Sequence, residues 1–361
     1  MNVVIVAGGT GGHVYPAIAL AEALCRRAPG TSVTIVGTGR ALEHIMMAEM
    51  PWKHTTLRVR GVVGRGFRAA VPALLALPGA VWQSIRVLRA AKADLVIGTG
   101  AYTSPPVVVA ASMLGVPRVI VELNAIPGIA NRVIGPLANR VFVSHEQAAG
   151  CFRADRVVVA GTPLRDAFVA SPPGAGSGHI DTILVCGGSQ GAQAVNSAII
   201  EAVQASSMIR ERVTIIHQTG LHDLDRVTRA YRHMEVAAEV VPFITDMAQT
   251  LRRADLVIAR CGALTLAEIA ACAKPSILIP FPQATHNHQE WNARVVERAG
   301  GGIVMLQSEL TGARLAQAIE EFLCHPERVR HMAEQSGRLR KTDSAGAIVD
   351  ECYRLLGTRS P

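Results

Sequence analysis

Twice in 361 residues a short apolar strand runs into a glycine-rich turn and then into a helix start. Residues 3–13 read VVIVAGGTGGH, and residues 182–192 read TILVCGGSQGA. A buried strand followed by such a turn gathers several backbone N–H groups around one point. That point also sees the positive end of the helix dipole, so it favours an anion such as a phosphate. The recurrence predicts two nucleotide-fold domains and a cleft with two anion sites.

A second echo supports the duplication. Residues 93–97 and residues 254–258 both read ADLVI, and each run leads into a glycine-bearing turn, a helix-like stretch, a proline and another apolar strand. The matching order within two halves carries the argument, not the five-residue identity. The glycine turns begin 179 residues apart, at Gly8 and Gly187, whereas the ADLVI runs begin 161 apart, at Ala93 and Ala254. The first half therefore holds 18 additional residues between its turn and its ADLVI strand.

Strand-like runs alternate with helical stretches throughout: 2–7, 32–37, 94–98, 118–123, 140–144 and 156–160, then 181–186, 212–217, 239–243, 255–259, 276–280 and 302–306. Alternation of this kind predicts an α/β protein with doubly wound parallel sheets. The stretch 171–179, SPPGAGSGH, is the linker candidate, and the tail 340–357 is helix-like. Hydrophobic residues make up 49% of the chain and charged ones 18%, enough apolar material for two cores. The net charge of +8 calls for an anionic partner without choosing among nucleic acid, a membrane surface and phosphorylated substrates. The chain enters its first strand at Asn2, so no secretory leader is expected, and its most apolar stretch, 106–121, is too short and too broken by Pro117 and Arg118 to span a membrane. Seven scattered cysteines without a CxxC spacing read as reduced cytoplasmic thiols, most of them in the core.

The extra residues of the first half lie within 51–92. No acidic residue occurs between Glu49 and Asp94, while Lys53, Arg58, Arg60, Arg65, Arg68, Arg86, Arg89 and Lys92 alternate with Leu74, Leu75, Leu77, Val81 and Trp82. This composition fits a surface resting on anionic lipid headgroups, with Leu74, Leu75, Trp82, Arg86 and Arg89 as its contacts. It fits equally a helix with its apolar face in the core and its arginines in solvent.

GGTGGH lacks the GxGxxG spacing of a dinucleotide site, and the second strand ends at VGTGR without the acidic residue that holds an NAD ribose, which disfavours a nicotinamide cofactor. His13 opens the first helix. A helix N-terminus favours the neutral imidazole that a general base requires, and equally a histidine that hydrogen-bonds the turn. In the second half RCGALTLAE (260–268) is a turn entering a helix whose free N–H groups suit a diphosphate. Glu268 within it is either a solvated helix residue or a carboxylate for two ribose hydroxyls. The stretch 281–292 clusters His286, Asn287, His288, Gln289 and Asn292, uncharged polar groups suited to sugar hydroxyls; no third ligand stands at a recognisable spacing, so a metal is not expected. Asp223 and Asp225 form a DxD, read here as acids at a helix start.

Together these strings resemble the MurG family of bacterial peptidoglycan N-acetylglucosaminyltransferases, which convert lipid I to lipid II. The resemblance rests on GGTGGHVYPAIALA (8–21), GTGAYTSPP (98–106), ELNAIPGIANR (122–132), GTPLR (161–165), GGSQGAQAVN (187–196), PFITDMA (242–248), RCGALTLAE (260–268) and NHQEWNA (287–293), in order along nearly the whole chain. It implies a GT-B fold, two Rossmann-like domains facing across a cleft. Residues 1–163 would form the acceptor- and membrane-binding domain, 164–339 the UDP-GlcNAc domain, and 340–361 a helix packing back on the first. Carried over, the resemblance places Ser189 on the nucleotide phosphates and the Ile244 backbone on uracil. Arg165, Ala263, Leu264, Thr265, Leu266, Ala267 and Glu268 would complete the UDP site, with Glu268 on the ribose and His288 and Gln289 on the GlcNAc hydroxyls. Thr10, Gly11, Gly12 and Asn124 would contribute to UDP-GlcNAc binding from the other side of the cleft, Gly9, Thr10, Gly11 and Gly12 would also hold the acceptor pyrophosphate, and His13 would be the base. Cys261, His286 and Leu123 stand where the family commonly has Ser, Asp and Gln.

The implied reaction is a single inverting displacement. The acceptor's MurNAc 4-hydroxyl attacks C1 of GlcNAc, UDP leaves from the opposite face, and no metal or cofactor takes part. The implied partners are UDP-GlcNAc, lipid I, the anionic membrane surface and cell-wall or division proteins, not nucleic acid. The implied location is the cytoplasmic face of the bacterial inner membrane, as a peripheral protein. Two rival readings share the architecture: a UDP-GlcNAc 2-epimerase, and a non-catalytic nucleotide-sugar-binding scaffold at the membrane.

Overall fold

The computed structural model describes residues 1–40, 43, 46, 47, 50–57, 59, 76–169, 178–341 and 343–357. It divides into two compact units, Met1–Asp166 with Asp343–Pro361, and Ala167–Thr342. Residues 171–177 of the linker candidate lie outside the described residues.

The first unit is built on β1 (Asn2–Val6), β2 (Ser32–Gly37), β3 (Lys53–Thr56), β4 (Leu95–Gly98), β5 (Arg118–Glu122), β6 (Arg140–Val143) and β7 (Val157–Val159). These pair in the order β3-β2-β1-β4-β5-β6-β7, every pair parallel. In register, Val3 stands between Val33 and Leu95. Helices cover both faces, so the central strands read as continuous apolar runs rather than alternating ones; Val3 to Val6 are all buried.

The second unit repeats the plan with β8 (Thr182–Cys186), β9 (Thr214–Gln218), β10 (Ala238–Val241), β11 (Leu256–Ala259), β12 (Ser276–Leu278) and β13 (Gly302–Val304). Its order is β10-β9-β8-β11-β12-β13, again parallel throughout. Ile183, Val185, Ile215 and Ile258 meet the helices Gln193–Ala205 and Gly312–Cys324 in one apolar core.

All twelve strands expected from the sequence are present, and β3 is an addition. Its sequence, KHTT, has no apolar alternation because β3 is an edge strand with only Thr55 partly buried. Register with Thr34 to Gly37 of β2 defines it, not side-chain burial.

The terminal helix Ser344–Leu355 belongs to the first unit and packs against the helix Gly11–Arg27. Asp343 accepts a hydrogen bond from Gly346 N at 3.0 Å and so caps it. The Arg27–Asp350 ion pair at 2.6 Å is exposed and contributes about 0–1 kcal/mol. Burial of Ile348, Val349, Cys352 and Tyr353 is the larger attachment. Of the seven cysteines, Cys186, Cys261, Cys272 and Cys352 are buried, Cys25 is half-buried, and Cys151 and Cys324 are exposed. Burial pushes the Cys186 thiol up to about 11 and that of Cys352 up to about 12.

Candidate functional site

In each sheet the chain reverses its winding direction once, between β1 and β4 in the first unit and between β8 and β11 in the second. Ligands of open parallel sheets bind outside the strand carboxyl ends at such switch points. The candidate residues of each unit gather at those ends.

In the first unit, β1 runs through Gly8 and Gly9 into the helix that starts at Gly11. Thr10 is its N-cap residue, and its carbonyl accepts from His13 N at 3.0 Å and Val14 N at 3.2 Å. The His13 ring nitrogen Nδ1 lies 2.7 Å from the Thr99 carbonyl oxygen at the end of β4. A carbonyl only accepts, so Nδ1 carries the hydrogen and Nε2 is the basic nitrogen of the neutral ring. Thr99 is buried, and its hydroxyl donates towards Val6 O at 2.9 Å and His13 O at 3.1 Å. The ring is thus anchored on the end of β4, a geometry compatible with the role of a base.

The Gly9 to Gly12 turn differs from the open phosphate nest expected. Gly9 N donates to Glu43 Oε1 at 2.7 Å, and Thr38 N and Gly39 N donate to Glu43 Oε2 at 2.7 and 2.9 Å. The Thr38 hydroxyl completes the set. Burial acts to raise the pKa of Glu43, but the hydrogen bonds from Thr38, Gly9 and Gly39 outweigh it and hold the carboxyl below its ordinary range. The Gly9 N–H is therefore occupied by the protein's own carboxylate, which leaves the N–H groups of Thr10, Gly11 and Gly12 as the turn's candidates for a bound phosphate.

Asn124 follows β5 on a loop organised by Glu122. One oxygen of this buried carboxylate accepts from Asn124 N and Nδ2 at 2.9 and 3.1 Å, and the other accepts from Gly128 N and Asn131 Nδ2, both at 2.9 Å. Arg165 lies in the first unit, not with the other candidate UDP ligands of the second, and its guanidinium sits 4.1 Å over the Tyr15 ring. Asp166, next along, pairs with Arg26 of the same helix.

In the second unit the turn after β8 is tightened by Gly191 N donating to Gly188 O at 2.9 Å. Gly191 and Gly220 have φ of +77° and +78° and face each other's backbone so closely that a β-carbon on either would overlap it. Ser189 sits partly buried on this turn. Gln218, at the end of β9, ties it to the neighbouring loop: Nε2 donates to Gly188 O at 2.8 Å while Oε1 accepts from Ile244 N at 2.9 Å. The N–H of Ile244 is therefore engaged, and its carbonyl is the backbone group left for a base.

Beside Gln218, His217 is fully buried between Tyr231 and Asn196, at 2.9 and 3.0 Å. Burial holds its pKa down at about 3, so it stays neutral. Asn196 in turn donates to Thr219 O and to Asp223, whose carboxylate forks onto Arg226 at 2.6 and 2.7 Å. Asp223 of the DxD is accordingly part of a structural network at the start of the helix Leu224–His233. Among the described residues no group of three or more His, Cys, Asp or Glu converges as metal ligands.

Gly262 caps the helix Ala263–Ala271 after β11. Glu268 is buried at 6% exposure, which removes the solvated-helix reading. Gln289 Oε1 accepts from Cys261 N at 3.1 Å and Phe281 N at 3.0 Å, leaving its NH₂ as the group for a sugar oxygen. His288 Nδ1 meets Thr285 O at 2.7 Å. His286 and Asn287 both have φ of +54°, a left-handed pair that turns the chain into the helix His288–Arg298.

A histidine with its lone pair on Nε2 is suited to take a proton from a hydroxyl. A glycine turn with helix starts behind it is suited to hold a leaving diphosphate. One of these on each of two doubly wound sheets is the division of labour of a GT-B glycosyltransferase. The chain belongs to glycosyltransferase family 28: the N-terminal domain of that family matches residues 3–143 and the C-terminal domain residues 182–348.

Two relatives, from Myxococcus xanthus (strain DK1622) and Syntrophus aciditrophicus (strain SB), are 41% and 40% identical over 99% of this chain and cover 93% and 99% of their own lengths. Both are named UDP-N-acetylglucosamine--N-acetylmuramyl-(pentapeptide) pyrophosphoryl-undecaprenol N-acetylglucosamine transferase. The crystal structure of Acinetobacter baumannii MurG matches 98% of this chain and 100% of its own, with a TM-score of 0.76 at 27% identity. A UDP co-structure of S. aureus MnaA matches 100% of this chain and 98% of its own, with a TM-score of 0.71 at 16% identity, a likeness of fold alone.

Proposed function

We propose that this chain is the N-acetylglucosaminyltransferase that moves GlcNAc from UDP-GlcNAc to the MurNAc 4-hydroxyl of undecaprenyl-pyrophosphoryl-MurNAc-pentapeptide, in a single inverting displacement. The observation that carries the reading is the 41% identity over 99% of the chain to a relative named for this transfer. The chemistry at hand agrees with it. His13 Nε2 takes the proton of the attacking hydroxyl, and the Thr99 carbonyl holds the ring in the tautomer that can do so. The departing UDP gains negative charge, which the turn at Gly187–Gly191 and the helix starting at Ala263 offset with N–H groups already in place. Glu268 accepts from the ribose hydroxyls, Ser189 and the Ile244 carbonyl hold diphosphate and uracil, and the Gln289 amide donates to GlcNAc beside His288. Thr10, Gly11, Gly12 and Asn124 also contribute to UDP-GlcNAc binding, the turn through Thr10, Gly11 and Gly12 takes the acceptor pyrophosphate, and Arg165 acts from its stack on Tyr15. With labelled UDP-GlcNAc, sugar is expected to pass to a lipid I analogue and not to epimerise in its absence. Epimerisation, or retention of intact UDP-GlcNAc in both mixtures, would count against the reading.

The acceptor is lipid-linked, and among the described residues no helix is long and apolar enough to cross a membrane. The helix Leu77–Ala90 buries Ala80, Ser84 and Leu88. On its outer side Trp82 is 61% exposed with Arg86 4.8 Å over its ring, and Arg89 follows on the same face. We infer that this face rests on anionic lipid at the cytoplasmic surface of the inner membrane. Leu74 and Leu75, expected beside it, lie outside the described residues. Exchanging Trp82→Ser and Arg86→Glu together is expected to lower partitioning onto anionic vesicles at least about tenfold, with UDP-GlcNAc affinity unaltered. Unchanged vesicle binding would remove this face from the proposal.

A further inference from the structure

Four donors around the first glycine turn and the end of β2 converge on one side chain. We propose that Glu43 is a positioning residue: its carboxylate is the built-in anion of the turn that presents His13, so that the turn is organised before any acceptor arrives. The inference rests on the transfer reading above and adds to it a residue that touches no substrate.

The geometry is that of an anion nest filled from within. Three N–H groups, those of Gly9, Thr38 and Gly39, converge with the Thr38 hydroxyl on a carboxylate that is 3% exposed. Successive backbone N–H groups of this kind ordinarily bind phosphate. The Gly9 peptide is held at both ends from the same loop, since Arg40 Nη1 donates to Gly9 O at 3.2 Å. Position 37 is shaped to admit the carboxylate, because a β-carbon on Gly37 would lie 2.6 Å from Glu43 Oε2. Three residues beyond Glu43, the Met46 methyl lies 3.0 Å from where a β-carbon of Gly11 would stand, so the same segment also packs on the helix start.

Removing the carboxylate would aim three N–H groups at a point with no acceptor. Relaxation of Gly9 would then displace the helix start that carries His13. A glutamine would not restore the arrangement, because its NH₂ would face an N–H where an oxygen now stands.

The test uses the full chain. Glu43→Ala and Glu43→Gln are each expected to lower kcat at least about tenfold, with a much smaller change in the KM for UDP-GlcNAc because most of its candidate ligands belong to the other unit. Sodium formate, a free carboxylate, is expected to restore Glu43→Ala in a saturable way while leaving the parent enzyme and Glu43→Gln unaffected. Should Glu43→Ala fail to bind UDP-GlcNAc, Glu43→Gln, which keeps the side-chain volume, carries the kcat comparison. Parental kcat in the variants overturns the proposal, as does a loss in Glu43→Ala that formate does not touch. Tighter binding of inorganic pyrophosphate with faster turnover also overturns it, since Glu43 would then be a plug. If the parent chain itself transfers no sugar, the transfer reading fails instead.

Discussion

Replacing His13 with alanine is expected to lower kcat by roughly 10²- to 10⁴-fold, the range of a lost general base. The KM for UDP-GlcNAc should stay within about twofold, because most candidate donor ligands sit on the second unit and the histidine makes its contribution in the transition state. The structural reason is the bond from Nδ1–H to the Thr99 carbonyl at 2.7 Å, which commits Nε2 to the unprotonated role. Steady-state kinetics with saturating donor and lipid I analogue decide the point. Near-parental turnover would return the proton transfer to Asn124 or to water.

The second large effect is conformational. Gly191→Val is expected to abolish measurable UDP-GlcNAc binding and to destabilise the second unit by roughly 2–5 kcal/mol, from a left-handed branched residue and a forced contact together. Gly191 has φ of +77°, and its missing side chain is what allows the Thr219 and Gly220 backbone to close against the turn. Gly30→Ala is the control, since nothing lies within 4 Å of its β-carbon position. Urea unfolding followed by a probe in each unit keeps the two transitions apart. Equal stability of the two variants would refute the argument that this turn needs glycine for its shape.

Much of this was legible in the residues because parallel strands buried on both faces write themselves as apolar runs. Both glycine turns, the ADLVI strands and the helix behind Gly262 were readable for that reason. β3 was not, because an edge strand gains its place from hydrogen bonds to β2 that leave no pattern in KHTT. Nor were the polar ties. Glu43 and Gln218 reach backbone groups distant in sequence, Glu122 organises its own following loop, and nothing near Glu43 announces a partner at Gly9, 34 residues away. A weak signal existed for the others: TIIHQTG ends an apolar strand in three polar residues, and PRVIVEL ends one in a lone acid. Both polar ends lie at strand carboxyl termini, where a buried polar group has loop backbone within reach.

The distribution of thiols has a practical consequence. Cys151 lies in the first unit and Cys324 in the second, and both are exposed, while Cys186 and Cys352 are shielded and hard to ionise. Thiol-reactive fluorophores therefore have an accessible attachment point on either half of the unaltered protein. A donor and acceptor dye pair placed there turns the native sequence into a molecular ruler, able to follow the separation of the halves in real time as UDP-GlcNAc is added and consumed.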